Sequence, residues 1–450
     1  MVFLDGNFAG ITTSELSGFI LQDVPAGRHE VKIIKEGYRP RSEEIDLKEN
    51  EKYIYEVKYF QSALTWERTY GGIDDIDAKY LDHIKLIQTT DGGYAIARGT
   101  YDNWNLNLTG TGDKDFWLLK LDSQGDLLWN KTYNRRGFDM ALSLVQTTDG
   151  GYAVTGTDFW LIKLDSQGNL LWDQTYGGSG DDRAHSLIQT TDGGYAIAGI
   201  TSSKDSGAWD FWLLKLDNQG NVLWDRTYGG SRSDWANSLI QTKDGGYAMV
   251  GTTESKSTGS SEEDFRRGDF WLLKLDSKGN LLWDQTYGGI GHDWAYSLIQ
   301  TTDGGYIVVG ITNSKGAGNK DNFDFQPMDI RLLRLDSQGD LLWDRTYGGS
   351  GEDRAYSLIQ TTDGGYAIAG GTSSKGAGSL DFWLLKLDNS GNVIWDQTYG
   401  GIGKEWATSL IQTTDGCYAM AGCTTSKGSR GLNFWIIKVD AEGNLQPETE

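Results

Sequence analysis

The sequence predicts an all-β protein in which a seven-bladed β-propeller, built from four-stranded antiparallel blades, follows a small N-terminal β-sandwich domain. Composition favours short strands joined by tight turns, because 61 glycines, 18 tryptophans and 22 tyrosines accompany only 4 prolines. A first signature, D-G-G-Y or D-G-C-Y, starts at Asp91, Asp149, Asp192, Asp244, Asp303, Asp363 and Asp415. A second signature, W-x-x-T-Y, starts at Trp66, Trp129, Trp172, Trp224, Trp283, Trp343 and Trp395. Seven copies of each predict seven blades.

Each repeat reads as four short strands, for example over residues 186–190, 195–201, 210–217 and 222–228. The D-G-G and D-N-Q-G-N segments between them suit tight hairpin turns, since Gly and Asn tolerate positive φ. The third strand is apolar at nearly every position, as expected for a sheet that is covered on both faces. In a propeller each blade is covered in this way by its two neighbours.

The order of the two signatures predicts how the ring closes. Residues 66–70 form a fourth-type strand before any first-type strand has appeared, whereas the last repeat ends after its third strand at Val439. We therefore expect the N-terminal strand to complete the seventh blade, which leaves no open sheet edge. The alternative is an open stack of repeats, in which residues 66–70 would have no partner strand.

Residues 1–60 lack the repeat, and we expect the propeller over residues 61–445 and a disordered tail over 446–450. The first segment resembles the PEGA family, which carries a D-G turn and a P-x-G-x-H-x-V run ending in G-Y. The matching residues here are Pro25, Gly27, His29, Val31, Gly37 and Tyr38. The segment departs from the family at Thr12 and Thr13, where T-P is usual. The resemblance implies a small β-sandwich, an extracellular or cell-surface location, and no chemistry.

The propeller repeat also resembles known blade repeats. The spacing D-x-x-G-x-x-x-W, as in Asp165, Gly168 and Trp172, is similar to the tryptophan-docking repeats of PQQ-type propellers, although one residue shorter. The pair of W-x-x-T-Y-G-G and D-G-G-Y resembles kelch-like repeats of prokaryotic surface proteins. These resemblances imply the fold and transfer no function.

Charge and motifs argue against several classes of function. The formal net charge of −22, from 41 Lys and Arg against 63 Asp and Glu, opposes binding to nucleic acid phosphates or anionic lipid. The sequence has no apolar run of about 18 residues, so we expect no membrane insertion. The histidines, His29, His83, His185 and His292, show no spacing typical of a metal site or a catalytic triad. We therefore predict no catalytic residue, no metal and no cofactor.

Length variation points to one face of the predicted disk. The connection between the second and third strands covers residues 156–158 in the second repeat, but 251–269 and 310–329 in the fourth and fifth. In a four-stranded meander this connection shares a face with the link to the next blade. We call this face the variable-loop face, and loops there can change without disturbing the core.

The links between blades on the variable-loop face supply the candidate binding residues. Large side chains precede an alanine in repeats three to seven, and we expect them to ring the mouth of the central channel: Arg183, Trp235, Trp294, Arg354 and Trp406. An acid precedes each of them: Asp182, Asp234, Asp293, Asp353 and Glu405. Trp and Arg suit ligand binding. The alternatives are that the large side chains cover neighbouring blades and that the acids cap turns.

The leading functional hypothesis is a monomeric, non-enzymatic binding module at the cell surface or outside the cell. It would recognise a polysaccharide or a protein through the variable-loop face. A second hypothesis is a polysaccharide hydrolase or lyase that uses the rim carboxylates. A third is a purely structural spacer within a larger envelope protein.

Overall fold

The computed structural model describes residues 2–5, 7–10, 25–33, 41–47, 65–73, 84–101, 114–135, 139–204, 208–257, 267–314, 327–429 and 431–445. Every regular element among these residues is a β-strand, which confirms the all-β prediction. Gly37, Tyr38, His83 and the predicted tail over 446–450 lie outside the described residues.

The N-terminal segment contributes one antiparallel sheet. Its strands are β1 (Val2–Leu4), β2 (Asn7–Gly10), β3 (Gly27–Ile33) and β4 (Arg41–Leu47), in the spatial order β2-β1-β3-β4. His29 links this sheet to its turns, because its Nδ1 lies 2.7 Å from Asp5 Oδ2 and its Nε2 lies 2.8 Å from the carbonyl oxygen of Pro25. These hydrogen bonds, first that with Asp5, raise the pKa of His29.

Seven four-stranded sheets form the blades, and the described strands of each follow one another in antiparallel order. Blade 1 contains β6 (Lys85–Gln88), β7 (Tyr94–Tyr101), β8 (Lys114–Leu121) and β9 (Leu127–Tyr133). Blade 2 contains β10 (Ala141–Gln146), β11 (Tyr152–Gly156), β12 (Trp160–Leu164) and β13 (Leu170–Thr175). Blade 3 contains β14 (Asp182–Gln189), β15 (Tyr195–Thr201), β16 (Asp210–Leu216) and β17 (Val222–Tyr228). Blade 4 contains β18 (Asp234–Gln241), β19 (Tyr247–Thr253), β20 (Asp269–Leu275) and β21 (Leu281–Tyr287).

The remaining blades repeat this plan. Blade 5 contains β22 (Asp293–Gln300), β23 (Tyr306–Thr312), β24 (Asp329–Leu335) and β25 (Leu341–Tyr347). Blade 6 contains β26 (Asp353–Gln360), β27 (Tyr366–Thr372), β28 (Asp381–Leu387) and β29 (Val393–Tyr399). Blade 7 joins β30 (Glu405–Gln412), β31 (Tyr418–Thr424) and β32 (Leu432–Val439) to β5 (Trp66–Ile73).

The seventh blade closes the ring as the order of the signatures predicts. Strand β5 lies beside β32, and the ring of Tyr70 lies 6.3 Å from that of Phe434. At the axis, the backbone N–H of Leu86 in the first blade donates to Ser409 Oγ in the seventh at 3.0 Å. The prediction that the N-terminal strand completes the seventh blade is therefore confirmed.

The hydrophobic core lies between neighbouring blades. Strands β15 and β16 are buried at every position, because both of their faces are covered. One buried cluster joins Phe211 of blade 3 to Trp271 of blade 4, with ring centroids 4.7 Å apart. Packing of this kind stabilises each sheet only when its neighbours are present.

The D-x-x-G-x-x-x-W spacing has a packing cause. The turn glycine of one blade adopts a positive φ and receives the tryptophan of the preceding blade. At Gly220, with φ +85°, an added Cβ would lie 2.9 Å from Cζ3 of Trp172. The hydroxyl of Tyr176 donates to the carbonyl oxygen of the same glycine at 2.7 Å. Glycine is required there by both conformation and space.

A buried cation supports each D-G-G turn. In blade 3, Lys215 Nζ lies 2.9 Å from Asp192 Oδ2, and the lysine side chain is 5% exposed while the aspartate side chain is 58% exposed. Asp192 Oδ1 also accepts hydrogen bonds from Thr190 Oγ1 and from the N–H of Gly194. The same cation position is filled by Lys120, Lys163, Lys274, Arg334, Lys386 and Lys438 in the other blades.

Candidate functional site

The five acids that the sequence predicts at the rim are buried. Asp182 accepts hydrogen bonds from the N–H of Gly178 at 2.7 Å and from Ser203 Oγ at 2.6 Å. These bonds join the link between blades to the connection that follows the second strand. Burial raises the pKa of Asp234. The equivalent carboxylates make the same kind of contact with a glycine N–H: Asp234, Asp293, Asp353 and Glu405.

The two arginines of the rim remain partly exposed and pair within their own turns. Arg183 Nη2 lies 2.7 Å from Asp181 Oδ2, and Arg354 Nη2 lies 2.5 Å from Glu352 Oε1. Arg354 Nη1 also lies 3.3 Å from the hydroxyl oxygen of Tyr356. These guanidinium groups therefore keep solvent access while their orientation is fixed.

The three tryptophans of the rim differ in exposure although they occupy the same repeat position. Trp294 is 39% exposed, whereas Trp406 is 6% exposed. Trp235 is half-buried, and its ring lies 5.8 Å from that of Trp209. The exposed aromatic surface of the rim is therefore supplied by Trp294 and by the pair of Trp209 and Trp235.

Sequence reasoning missed Trp209, which lies in the connection between β15 and β16. Its signal was present, because this tryptophan falls outside every repeat signature. The exposed side chains of Ile290 and Ile402 also lie in links between blades, and Ile402 is 91% exposed. Most of the two longest connections, residues 258–266 and 315–326, lie outside the described residues.

A second candidate region, missed from the sequence, is the channel along the axis. The first strand of each of blades 2 to 6 has a β-bulge, such as that between Ala184 and Ser186 in β14. A bulge leaves one residue outside the ladder and turns its side chain away from the alternating pattern. Here the bulged residues line one cavity of about 120 Å³: Leu142, His185, Asn237, Tyr296 and Tyr356.

The bulged residues also bridge neighbouring blades. His185 Nδ1 lies 2.8 Å from the carbonyl oxygen of Ala236, and Asn237 Nδ2 donates to that of Ala295 at 2.7 Å. Because a carbonyl oxygen only accepts, Nδ1 of His185 carries the proton. Burial lowers the pKa of His185 to about 4, so its ring is neutral at pH 7. The rings of Tyr296 and Tyr356 lie 5.2 Å apart.

The described residues contain no cluster of three or more His, Cys, Asp or Glu side chains arranged to hold a metal ion. Nor does any helix in the described part of the chain have the length and apolar character needed to cross a bilayer.

Comparison with known proteins identifies the N-terminal segment. Residues 1–60 match the PEGA domain. PEGA domains occur in periplasmic and surface proteins. The regulatory protein FlaEY of Caulobacter vibrioides is 26% identical over 168 residues, which cover 32% of this chain and 17% of that protein. The match therefore covers only a small part of that relative's length.

Several solved structures resemble the chain at low sequence identity. The WD40 domain of Pan2 from Neurospora crassa is 11% identical, with a TM-score of 0.49 over 81% of this chain and 90% of that chain. BamB from Moraxella catarrhalis is 14% identical, with a TM-score of 0.40 over 82% and 99%. At these values the resemblance has no bearing on function. The match over residues 1–60 and the seven four-stranded blades together show that the chain carries a PEGA domain at its N-terminus, followed in sequence by a seven-bladed β-propeller.

Proposed function

We propose that the chain is a non-enzymatic binding module of an exported or surface-associated protein, and that its variable-loop face recognises a polysaccharide. The partly exposed tryptophans carry this proposal. Trp294 is 39% exposed, and a second aromatic group is formed by Trp209 in the β15–β16 connection and Trp235 at the start of β18. Aromatic faces pack against the apolar faces of sugar rings, and Trp and Arg supply much of the binding energy in many recognition surfaces.

The arginines add polar recognition to this aromatic surface. Arg183 and Arg354 are each paired with an acid, so their positions are set before a ligand arrives. Preorganised groups lose less conformational entropy on binding than free ones. The hydroxyl groups of a polysaccharide accept hydrogen bonds from guanidinium groups, and carbonyl groups of a protein ligand do so as well.

Binding is better supported than hydrolysis. A glycosidase commonly needs two carboxyl groups that reach the scissile bond. The candidate acids at the rim are at most 1% exposed, and they accept hydrogen bonds from the turns around them. A surface location is supported by the PEGA match.

A glycan array probed with the full chain tests the proposal. The test variant carries Trp235→Ala and Trp294→Ala together, because both side chains keep solvent access while Trp406 is buried. The control variant carries Leu128→Ala and Leu342→Ala, which remove two side chains that are each 57% exposed on outer strands. We expect binding to weaken about tenfold or more in the test variant alone, a loss of about 1.4 kcal/mol.

Two results would count against this site. Equal binding by the wild type and the tryptophan variant would remove the rim as the ligand surface. If no glycan is retained and a pull-down with the same proteins recovers a partner that depends on Trp235 and Trp294, the ligand is a protein. Far-ultraviolet circular dichroism on all three proteins checks that the substitutions leave the fold intact.

A further inference from the structure

One residue of the axial channel breaks the repeat. The first strands share an S-L-I-Q or S-L-V-Q run, and the serine position is filled by Lys85 in blade 1. Lys85 and five of the equivalent serines line the same cavity of about 120 Å³: Ser143, Ser186, Ser238, Ser297 and Ser357. The substitution therefore places a lysine in a cavity lining that is otherwise shared by serines.

The serine hydroxyls of this cavity lining keep a hydrogen that they can donate. Each of three hydroxyl oxygens already accepts the backbone N–H of a leucine in the next blade. Ser143 Oγ accepts from Leu187 at 3.0 Å, and Ser186 Oγ accepts from Leu239 at 3.1 Å. Ser357 Oγ accepts from Leu410 at 3.1 Å. A hydroxyl that accepts in this way still has its own hydrogen to donate.

Those hydrogens have no acceptor among the residues that the structure describes, although Ser143 is only 4% exposed and Ser357 only 9%. Buried donors are normally satisfied by protein, water or a ligand. The hydroxyl groups therefore call for an acceptor within the cavity itself.

The charge around the cavity favours an anion. Among the described residues that line it, Lys85 carries the only formal charge, because His185 is neutral and no Asp or Glu is present. Lys85 forms no ion pair with any residue that the structure describes. Water reaches this side chain, yet the surrounding protein desolvates its ammonium group and lowers its pKa. With no counter-charge among the described residues, this ammonium group attracts an anion.

We propose that the axial cavity binds one small oxyanion, with the ammonium group of Lys85 as its counter-charge and the serine hydroxyls as hydrogen-bond donors. The shared chemistry is that of phosphate, sulfate or a free carboxylate, whose oxygens accept several hydrogen bonds at once. The cavity suits a small ion and not a chain of sugars, so this site is separate from the proposed polysaccharide surface. It goes beyond the proposed function and does not depend on it.

Isothermal titration calorimetry on the full chain tests the site with sodium phosphate, sodium sulfate and sodium acetate in turn, at pH 7 and constant ionic strength set with sodium chloride. The test variant is Lys85→Ser, which introduces the residue that the other six blades carry and so favours correct folding. The control is Lys278→Gln, which removes one positive charge from an exposed turn where four other repeats have glutamine.

We expect one equivalent of at least one of these anions to bind the wild type and the Lys278→Gln variant with equal affinity. Binding to the Lys85→Ser variant should be about tenfold weaker or worse, because the counter-charge is lost. The anion that binds most tightly distinguishes a tetrahedral ligand from a carboxylate. The proposal is overturned if none of the three anions gives heat with the wild type, which means that water alone fills the cavity. Equal affinity in the Lys85→Ser variant overturns it as well.

Discussion

The ion pair beneath each D-G-G turn leads to different predictions for its carboxylate and for its buried cation. Asp192→Asn removes the negative charge and leaves the buried ammonium group of Lys215, whose other acceptor is the carbonyl oxygen of Leu216 at 2.9 Å. Breaking a fully buried ion pair in this way costs about 3–5 kcal/mol. Because the side chain of Asp192 is 58% exposed, solvent screening reduces this loss, and we expect about 2–3 kcal/mol.

The reverse substitution, Lys215→Met, should cost much less. Methionine keeps the apolar stem packed and removes the ammonium group that is costly to bury. Asp192 then faces water and keeps its hydrogen bonds from Thr190 Oγ1 at 2.5 Å and from the N–H of Gly194 at 3.0 Å. Although burial acts to raise it, the hydrogen bonds from Thr190 and Lys215 hold the pKa of Asp192 at about 2. We expect Lys215→Met to lose roughly 1 kcal/mol or less.

Equilibrium unfolding in urea, followed by tryptophan fluorescence and circular dichroism, measures both losses. Lys215→Arg is the matched control, because Arg334 fills this position in blade 5 and pairs with Asp303. It should unfold near the wild-type midpoint. If Lys215→Met is destabilised as much as Asp192→Asn, the buried ammonium group is not the costly partner and the reasoning is wrong.

Two further predictions concern pH and turn geometry. His185 has a pKa of about 4 when folded and 6.5 when unfolded, so the unfolded chain takes up the proton first as pH falls. The free energy of unfolding that depends on the neutral ring of His185 is therefore fully present above pH 6.5 and is lost as pH falls toward 4. Protonation of His185 in the unfolded chain should lower the free energy of unfolding by about 2 kcal/mol between pH 7 and 5. His185→Asn, which copies Asn237, should lose less stability over this range in urea unfolding, and an unchanged pH slope would contradict the assignment. Gly193→Ala should cost about 1 kcal/mol for its positive φ alone, since nothing lies within 4 Å of the added Cβ. Gly168→Ala should cost at least about 1 kcal/mol more, because its Cβ would lie 2.7 Å from Cη2 of Trp129, and equal urea midpoints would show that the tryptophan can move aside.

The blades were predictable because each signature residue has a local or repeated cause. The W-x-x-T-Y strand that precedes every first strand predicts the closing position of β5, and the D-G-G turns fix the hairpins. The boundary of the first strand was predicted less well, since β14 begins at Asp182 and not at residue 186. The residues before 186 join the ladder because the bulge at His185 lets pairing continue past it.

The candidate site was less predictable, because its exposure depends on contacts that lie outside the repeat. Trp294 and Trp406 occupy equal positions in the repeat, yet Trp406 packs beside Gly371 in β27 and Leu380 in the connection that follows β27. The axial cavity depends on bulges, and a strict alternation of inward and outward side chains does not reveal them. Lys85 was visible as a departure from the serine run, but only the ring geometry shows which residues it meets.

Closure by β5 also constrains the order of events during synthesis. The strand that completes blade 7 leaves the ribosome before any other strand of the ring, and its partner β32 leaves last. Until then the nascent chain holds an unpaired outer strand at one end and an incomplete sheet at the other, and such edges favour aggregation. A circular permutant that begins at β6 and carries β5 after β32 would make all blades from local hairpins. Its refolding should be faster than that of the natural order, since closure would no longer wait for the two most distant strands to meet.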